Sequence, residues 1–117
     1  MEERDTILIV DDMEINRAIL RGVFEKDHNL LEAASGDQAL LLAGQYRARI
    51  AAVLLDLVMP GMDGFAALAQ LRSRGFLNEM PVVVITADSS VESEMRAFDL
   101  GASDLVSKPF APYVVRR

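Results

Sequence analysis

Val53-Leu54-Leu55-Asp56-Leu57-Val58-Met59-Pro60-Gly61-Met62-Asp63-Gly64 decides the fold. An apolar run ends at one carboxylate, Asp56, and a proline–glycine turn follows after three intervening residues. Unbroken apolar runs of this length suit a strand buried on both faces, as in a parallel sheet with helices on each side. The acid then sits at the carboxyl end of the strand, where α/β sheets place their sites. Pro60-Gly61 fits the centre of a type II turn, proline fixing φ and glycine accepting a positive φ. Asp63 is placed to cap the helix that opens near Gly64.

The same alternation runs outward in both directions. Thr6–Val10 is a β-branched run that stops at Asp11-Asp12, a first buried strand. Ile15, Ala18, Ile19 and Val23 recur at helical spacing from Glu14 to about Glu25. Asn29–Ala33 reads as a short strand, and Ser35 with Gln38 forms a capping box for a helix reaching Tyr46. Ile50–Asp56 is the central strand, with a helix from Asp63 to about Arg74 after it. Pro81–Thr86 is the fourth strand. Ser89 with Glu92 opens a helix through Phe98, Ser103–Ser107 is the fifth strand, and Pro112 starts a last helix. Strands alternating with helices imply right-handed crossovers and a doubly wound, three-layer α/β domain over residues 1–117. The last helix has only about six residues, against the ~11 of a typical helix. The expectation is a chain cut inside that helix from a longer protein.

Composition narrows the classes. One domain of 117 residues with 51% hydrophobic content builds a core without metal or disulfide staples. Cysteine is absent, so thiol chemistry is excluded and a reducing, cytoplasmic setting fits. The first residues carry neither the basic lead nor the apolar stretch of a signal peptide, and no apolar run approaches the ~18 residues needed to cross a bilayer. A net charge of −6 repels a phosphate backbone, which argues against direct nucleic-acid binding by this domain.

Several polar groups converge on one edge of such a sheet. Asp11 and Asp12 close the first strand, Asp56 the third and Thr86 the fourth, and Lys108 follows the fifth. Singly, each has an ordinary explanation. Asp11 with Glu14 has capping-box spacing, Asp56 suits a turn, Thr86 is a common strand residue and a lone lysine is usually solvated. Met59 and Met62 read as loop and core filler, and His28 as a surface residue in a turn. The joint pattern is harder to dismiss. Carboxylates ~4 Å apart repel by roughly 4 kcal/mol at an effective dielectric near 20. Three acids stay ionised together only if a cation joins them or one takes up a proton. Oxygen-only ligands favour a hard ion such as Mg²⁺. With the Lys108 ammonium alongside, the cluster suits phosphoryl transfer with Asp56 as nucleophile.

Ile7-Leu8-Ile9-Val10-Asp11-Asp12, Leu55–Gly64, Ile85-Thr86-Ala87 and Lys108-Pro109-Phe110, in that order, resemble the receiver domain of bacterial two-component response regulators. The resemblance spans essentially the whole chain. It implies a flavodoxin-like sheet of order 2-1-3-4-5 and phosphorylation of Asp56 by a histidine kinase or phosphotransfer protein. It implies Mg²⁺ held by Asp12, Asp56 and the backbone carbonyl of Val58, with Asp11 acting mainly through water. Thr86 would bond a phosphoryl oxygen, Lys108 would pair with it, and the Lys108–Pro109 bond would be cis. Phosphorylation would shift the loops after strands four and five and change the face formed by the last two helices and strand five. That face would meet a homodimer partner or a C-terminal output domain. Where many relatives carry a switch aromatic this chain has Leu105, which is expected to couple by packing with a smaller side-chain change. Val58 and Asp88 are expected to set the lifetime of the phosphorylated state.

Two other classes compete. A Mg²⁺-dependent phosphohydrolase with an aspartyl nucleophile usually carries a second acid two residues on, where this chain has Val58. A degenerate receiver acting only as a binding module would lack part of the set, and every acid, hydroxyl and lysine position is filled here.

Overall fold

A computed structural model describes residues 4–59, 61–87 and 90–108. Five strands, β1 (Thr6–Val10), β2 (Asn29–Ala33), β3 (Ile50–Leu55), β4 (Val82–Thr86) and β5 (Asp104–Ser107), alternate with helices. The helices are α1 (Glu14–Phe24), α2 (Gly36–Gln45), α3 (Gly64–Ser73) and α4 (Val91–Asp99), with a short 3₁₀ turn at Phe76–Asn78. The sheet is parallel throughout and runs β2-β1-β3-β4-β5, as expected.

The strand period of two divides the core. On β1, Leu8 and Val10 point to one face, where Leu40 of α2, Leu68 and Leu71 of α3 and Ala97 of α4 meet them. Ile7 and Ile9 point to the other, against Leu20 and Phe24 of α1. All five β1 residues are buried, which is why the run carries no polar alternation. Met59 lies in the first core and Met62 packs against it, as filler residues should.

Helix starts follow their caps. The Ser35 hydroxyl accepts from the Gln38 N–H at 3.2 Å, while the Gln38 side chain accepts from Ala34 N–H at 2.9 Å. Asp63 accepts from Ala66 N–H at 2.8 Å. The cap of α4 differs from expectation: Ser90, not Ser89 with Glu92, accepts from Ser93 N–H at 3.2 Å. Asp11 does not cap α1 either, because the N-cap position falls on Met13. Strand ends are trimmed by a residue, so Asp56, Pro81 and Ser103 flank β3, β4 and β5 rather than lie in them.

The apolar stripe of α1 differs in part: Val23 packs against the core as expected, but two of its members do not. Ile15 and Ile19 are 61% and 47% exposed, while the inward face carries Leu20 and Phe24, with Arg17 one turn earlier. His28 follows α1 in a turn as expected, but is half-buried and edge-on to Phe24 at 6.0 Å. Its Nδ1 has no hydrogen-bond partner among the described residues. Pro60, Asp88, Ser89, Pro109 and the helix expected at Pro112 lie outside the described residues.

Candidate functional site

The loop after β3 is shaped by two glycines, one through its conformation and one through a close approach. Gly61 adopts φ +74°, the left-handed conformation that a type II turn demands at that place. Gly64 N–H donates to the Leu57 carbonyl at 2.9 Å. A Cβ at Gly64 would lie 2.2 Å from the Asp56 carbonyl oxygen and 2.4 Å from Leu57 Cα, so no larger residue fits without moving backbone. α3 is thereby pinned directly against the peptide that carries Asp56.

Four of the expected side-chain groups form one cluster at the carboxyl edge. Carboxylate oxygens from Asp11, Asp12 and Asp56 lie within 4.8 Å of one another. Asp11 and Asp56 are buried and Asp12 is exposed. Lys108 is far from solvated: its Nζ is 2.8 Å from Asp11 Oδ2 and 3.5 Å from Asp56 Oδ2. The other oxygen of Asp11 accepts from Met13 N–H at 2.9 Å and Asn16 Nδ2 at 3.4 Å. Asp56 Oδ1 accepts from Val58 N–H at 3.2 Å. Thr86 is fully buried at the end of β4, and its carbonyl accepts from the Lys108 N–H at 2.7 Å. The Val58 side chain is 63% exposed, so it contributes backbone rather than packing here.

Electrostatics mark Asp56 out. Burial raises its carboxyl above the ordinary carboxylate value, and the Asp11 charge adds to that. The Val58 N–H and the Lys108 ammonium pull the other way without cancelling it. At 4.8 Å and an effective dielectric near 20, two carboxylates repel by about 3.5 kcal/mol. Three carboxylates face one ammonium, so the cluster is short of positive charge. Its donor set is all oxygen and partly open to solvent through Asp12, which fits a hard divalent cation that retains water.

Two positions were not singled out in the sequence. Gly64 was legible as a helix start, but its steric role depends on the returning backbone. Arg17 was hidden by its type, since an arginine in a helix is usually solvated. Here its side chain is 14% exposed and its Nη1 donates to the Asp11 carbonyl at 2.7 Å.

A five-stranded parallel sheet of order β2-β1-β3-β4-β5, with three acids and a lysine gathered at its carboxyl edge, defines a flavodoxin-like class of α/β domain. The response regulator receiver domain model matches residues 7–116, and the chain belongs to that family. Receiver domains are signalling switches of two-component systems. The chain is 39% identical over 104 residues to a probable cyclic di-GMP phosphodiesterase of Vibrio cholerae, covering 89% of this chain and 23% of that protein. It is 35% identical over 107 residues to the transcriptional regulatory protein ResD of Bacillus subtilis, covering 91% and 42%. The chain thus spans less than half the length of these relatives. Among solved structures it superposes on a chain of the CheX–CheY–BeF₃–Mg²⁺ complex from Borrelia burgdorferi with a TM-score of 0.89. That match has 26% identity and covers 96% of this chain and 84% of that one.

Proposed function

We propose that Asp56 accepts a phosphoryl group from the phosphohistidine of a histidine kinase or phosphotransfer protein, in a Mg²⁺-dependent reaction. An Asp56 carboxylate oxygen forms the new bond to phosphorus, the bond to the imidazole nitrogen breaks, and the leaving imidazole takes up a proton. Asp11, Asp12, Asp56 and the Val58 carbonyl are the residues that would hold the cation. Bound there, it would neutralise charge on the phosphoryl oxygens. Lys108 pairs with the transferred group and Thr86 donates a hydrogen bond to it. The observation that carries this reading is the convergence of three carboxylates and the Lys108 ammonium at the end of β3.

Phosphorylation adds roughly one negative charge and new acceptor oxygens at one point. Thr86 and Lys108 are joined by a backbone hydrogen bond, so a pull on either side chain reaches the loops after β4 and β5 together. Leu105, half-buried against the core, couples to this by packing. The proposed readout surface is the face of α4 and β5, together with the helix expected at Pro112. Val91, Met95 and Phe98 form an exposed apolar stripe on α4, 71%, 62% and 42% exposed, which supports a homodimer or output-domain contact there. The part-length match to both relatives supports an attached output domain. No described helix is long and apolar enough to cross a membrane, in keeping with the proposed cytoplasmic setting.

Incubation with acetyl phosphate and Mg²⁺, followed by intact-mass measurement, tests the assignment. Wild type gains one phosphoryl group and Asp56→Asn gains none. Equal labelling of both would overturn it. A phosphohydrolase reading is disfavoured by apolar Val58 at the place of the second acid, and turnover of a generic phosphate ester would reinstate it.

A further inference from the structure

Arg17 occupies an inward position of α1, one turn before Leu20 and two before Phe24, where an apolar residue would be expected. Its guanidinium is occupied on every side. Nε donates to Glu32 Oε1 at 3.1 Å, Nη2 to Glu14 Oε2 at 2.6 Å, and Nη1 to the Asp11 carbonyl at 2.7 Å. Glu32 belongs to β2, so the guanidinium ties helix, edge strand and the acidic turn together. Arg21 is the natural control. It shares both carboxylate partners, reaching Glu32 at 2.6 Å and Glu14 at 3.4 Å, and does not bond Asp11.

The Asp11 carbonyl is half of the peptide group that joins Asp11 to Asp12. Asp11 itself is already fixed, its N–H to Ala33 and its carboxylate to Met13, Asn16 and Lys108. Asp12 is exposed and its carboxylate makes no hydrogen bond or ion pair among the described residues, so its direction depends on how that peptide plane presents it. We infer that Arg17 is a positioning residue for the cation site, its clamped guanidinium fixing the Asp11–Asp12 peptide and so aiming the Asp12 carboxylate into the cluster. The inference rests on the proposed cation-binding role of the acid cluster. A planar fork held at two carboxylates keeps its third donor directed, which a lysine ammonium does not do. Partners one shell out from a ligand commonly change metal affinity by about 10–100-fold when removed.

Mg²⁺ affinity of the full chain, measured by titration calorimetry at fixed ionic strength, decides the matter, with thermal unfolding of each variant recorded alongside. Wild type binds Mg²⁺ and Asp12→Asn loses most of that affinity. Arg17→Gln binds about tenfold more weakly and Arg17→Lys is also weakened, whereas Arg21→Gln stays within about twofold of wild type. Unchanged affinity in both Arg17 variants would overturn the inference and leave the proposed function standing. Equal losses in Arg17→Gln and Arg21→Gln would also overturn it, since the network would then matter only for stability. A wild type that binds no Mg²⁺ overturns both. Should Arg17→Gln not fold, the charge-retaining Arg17→Lys decides against Arg21→Gln.

Discussion

At the residue scale, the burial of Asp56 carries a cost in stability for its ionised form. Its carboxyl is raised by burial, so the folded chain holds that proton more tightly than the unfolded chain does. The stability this group contributes is fully present below the ordinary carboxylate range and is lost as the pH rises through the raised folded-state value. With divalent cations chelated at neutral pH, the ionised side chain therefore costs stability. Asp56→Asn is expected to raise Tm at pH 7, with a gain that shrinks as the pH is lowered through the carboxylate range. A variant that melts below wild type at pH 7, or with the same gap at every pH, would contradict the burial argument. Gly64 is the opposite case, since only the absence of a side chain lets α3 meet the Asp56 peptide. Gly64→Ala should cost about 3 kcal/mol, read as a fall in denaturation midpoint at constant m-value.

At the element scale, caps and strand ends decide where side chains arrive. Asp63 starts α3 immediately beyond the loop that carries Asp56 and Val58. Asp63→Ala is expected to cost about 1 kcal/mol by chemical denaturation, and an unchanged midpoint would show that the cap is idle. The five strands were legible because β-branched and apolar runs end at carboxylates or turn residues. Placing Asp11, Asp12, Asp56, Thr86 and Lys108 on one edge followed from parallel topology alone. Less was legible where two readings share one pattern. Ser89 and Ser90 both precede a suitable partner, and only the backbone path selects Ser90. On α1, Ile15 and Ile19 match helical spacing as well as Leu20 and Phe24 do, but the sheet accepts the latter pair. Arg17 finds Glu32 fifteen residues away on another element, a contact no local pattern encodes. For Leu105 on β5, structures with and without beryllofluoride should show a small side-chain shift, and a rotation from outward to inward would contradict coupling by packing.

For the molecule as a whole, a parallel sheet presents charge at one edge, and the proposed function has that charge read out on an adjoining face. Aligned strand ends bring together acids that repel, and a divalent cation would relieve that repulsion while readying one of them for phosphate. On that proposal, activation is a shift between two packings biased by local charge, not a new fold. The most direct test locates the modified atom itself. After incubation with acetyl phosphate, borohydride reduction converts an acyl phosphate to an alcohol, and peptide sequencing by mass spectrometry finds it. The account predicts reduction product at residue 56 with Mg²⁺ present and almost none with a chelator. Product at another residue, or equal product at residue 56 without a divalent ion, would contradict it.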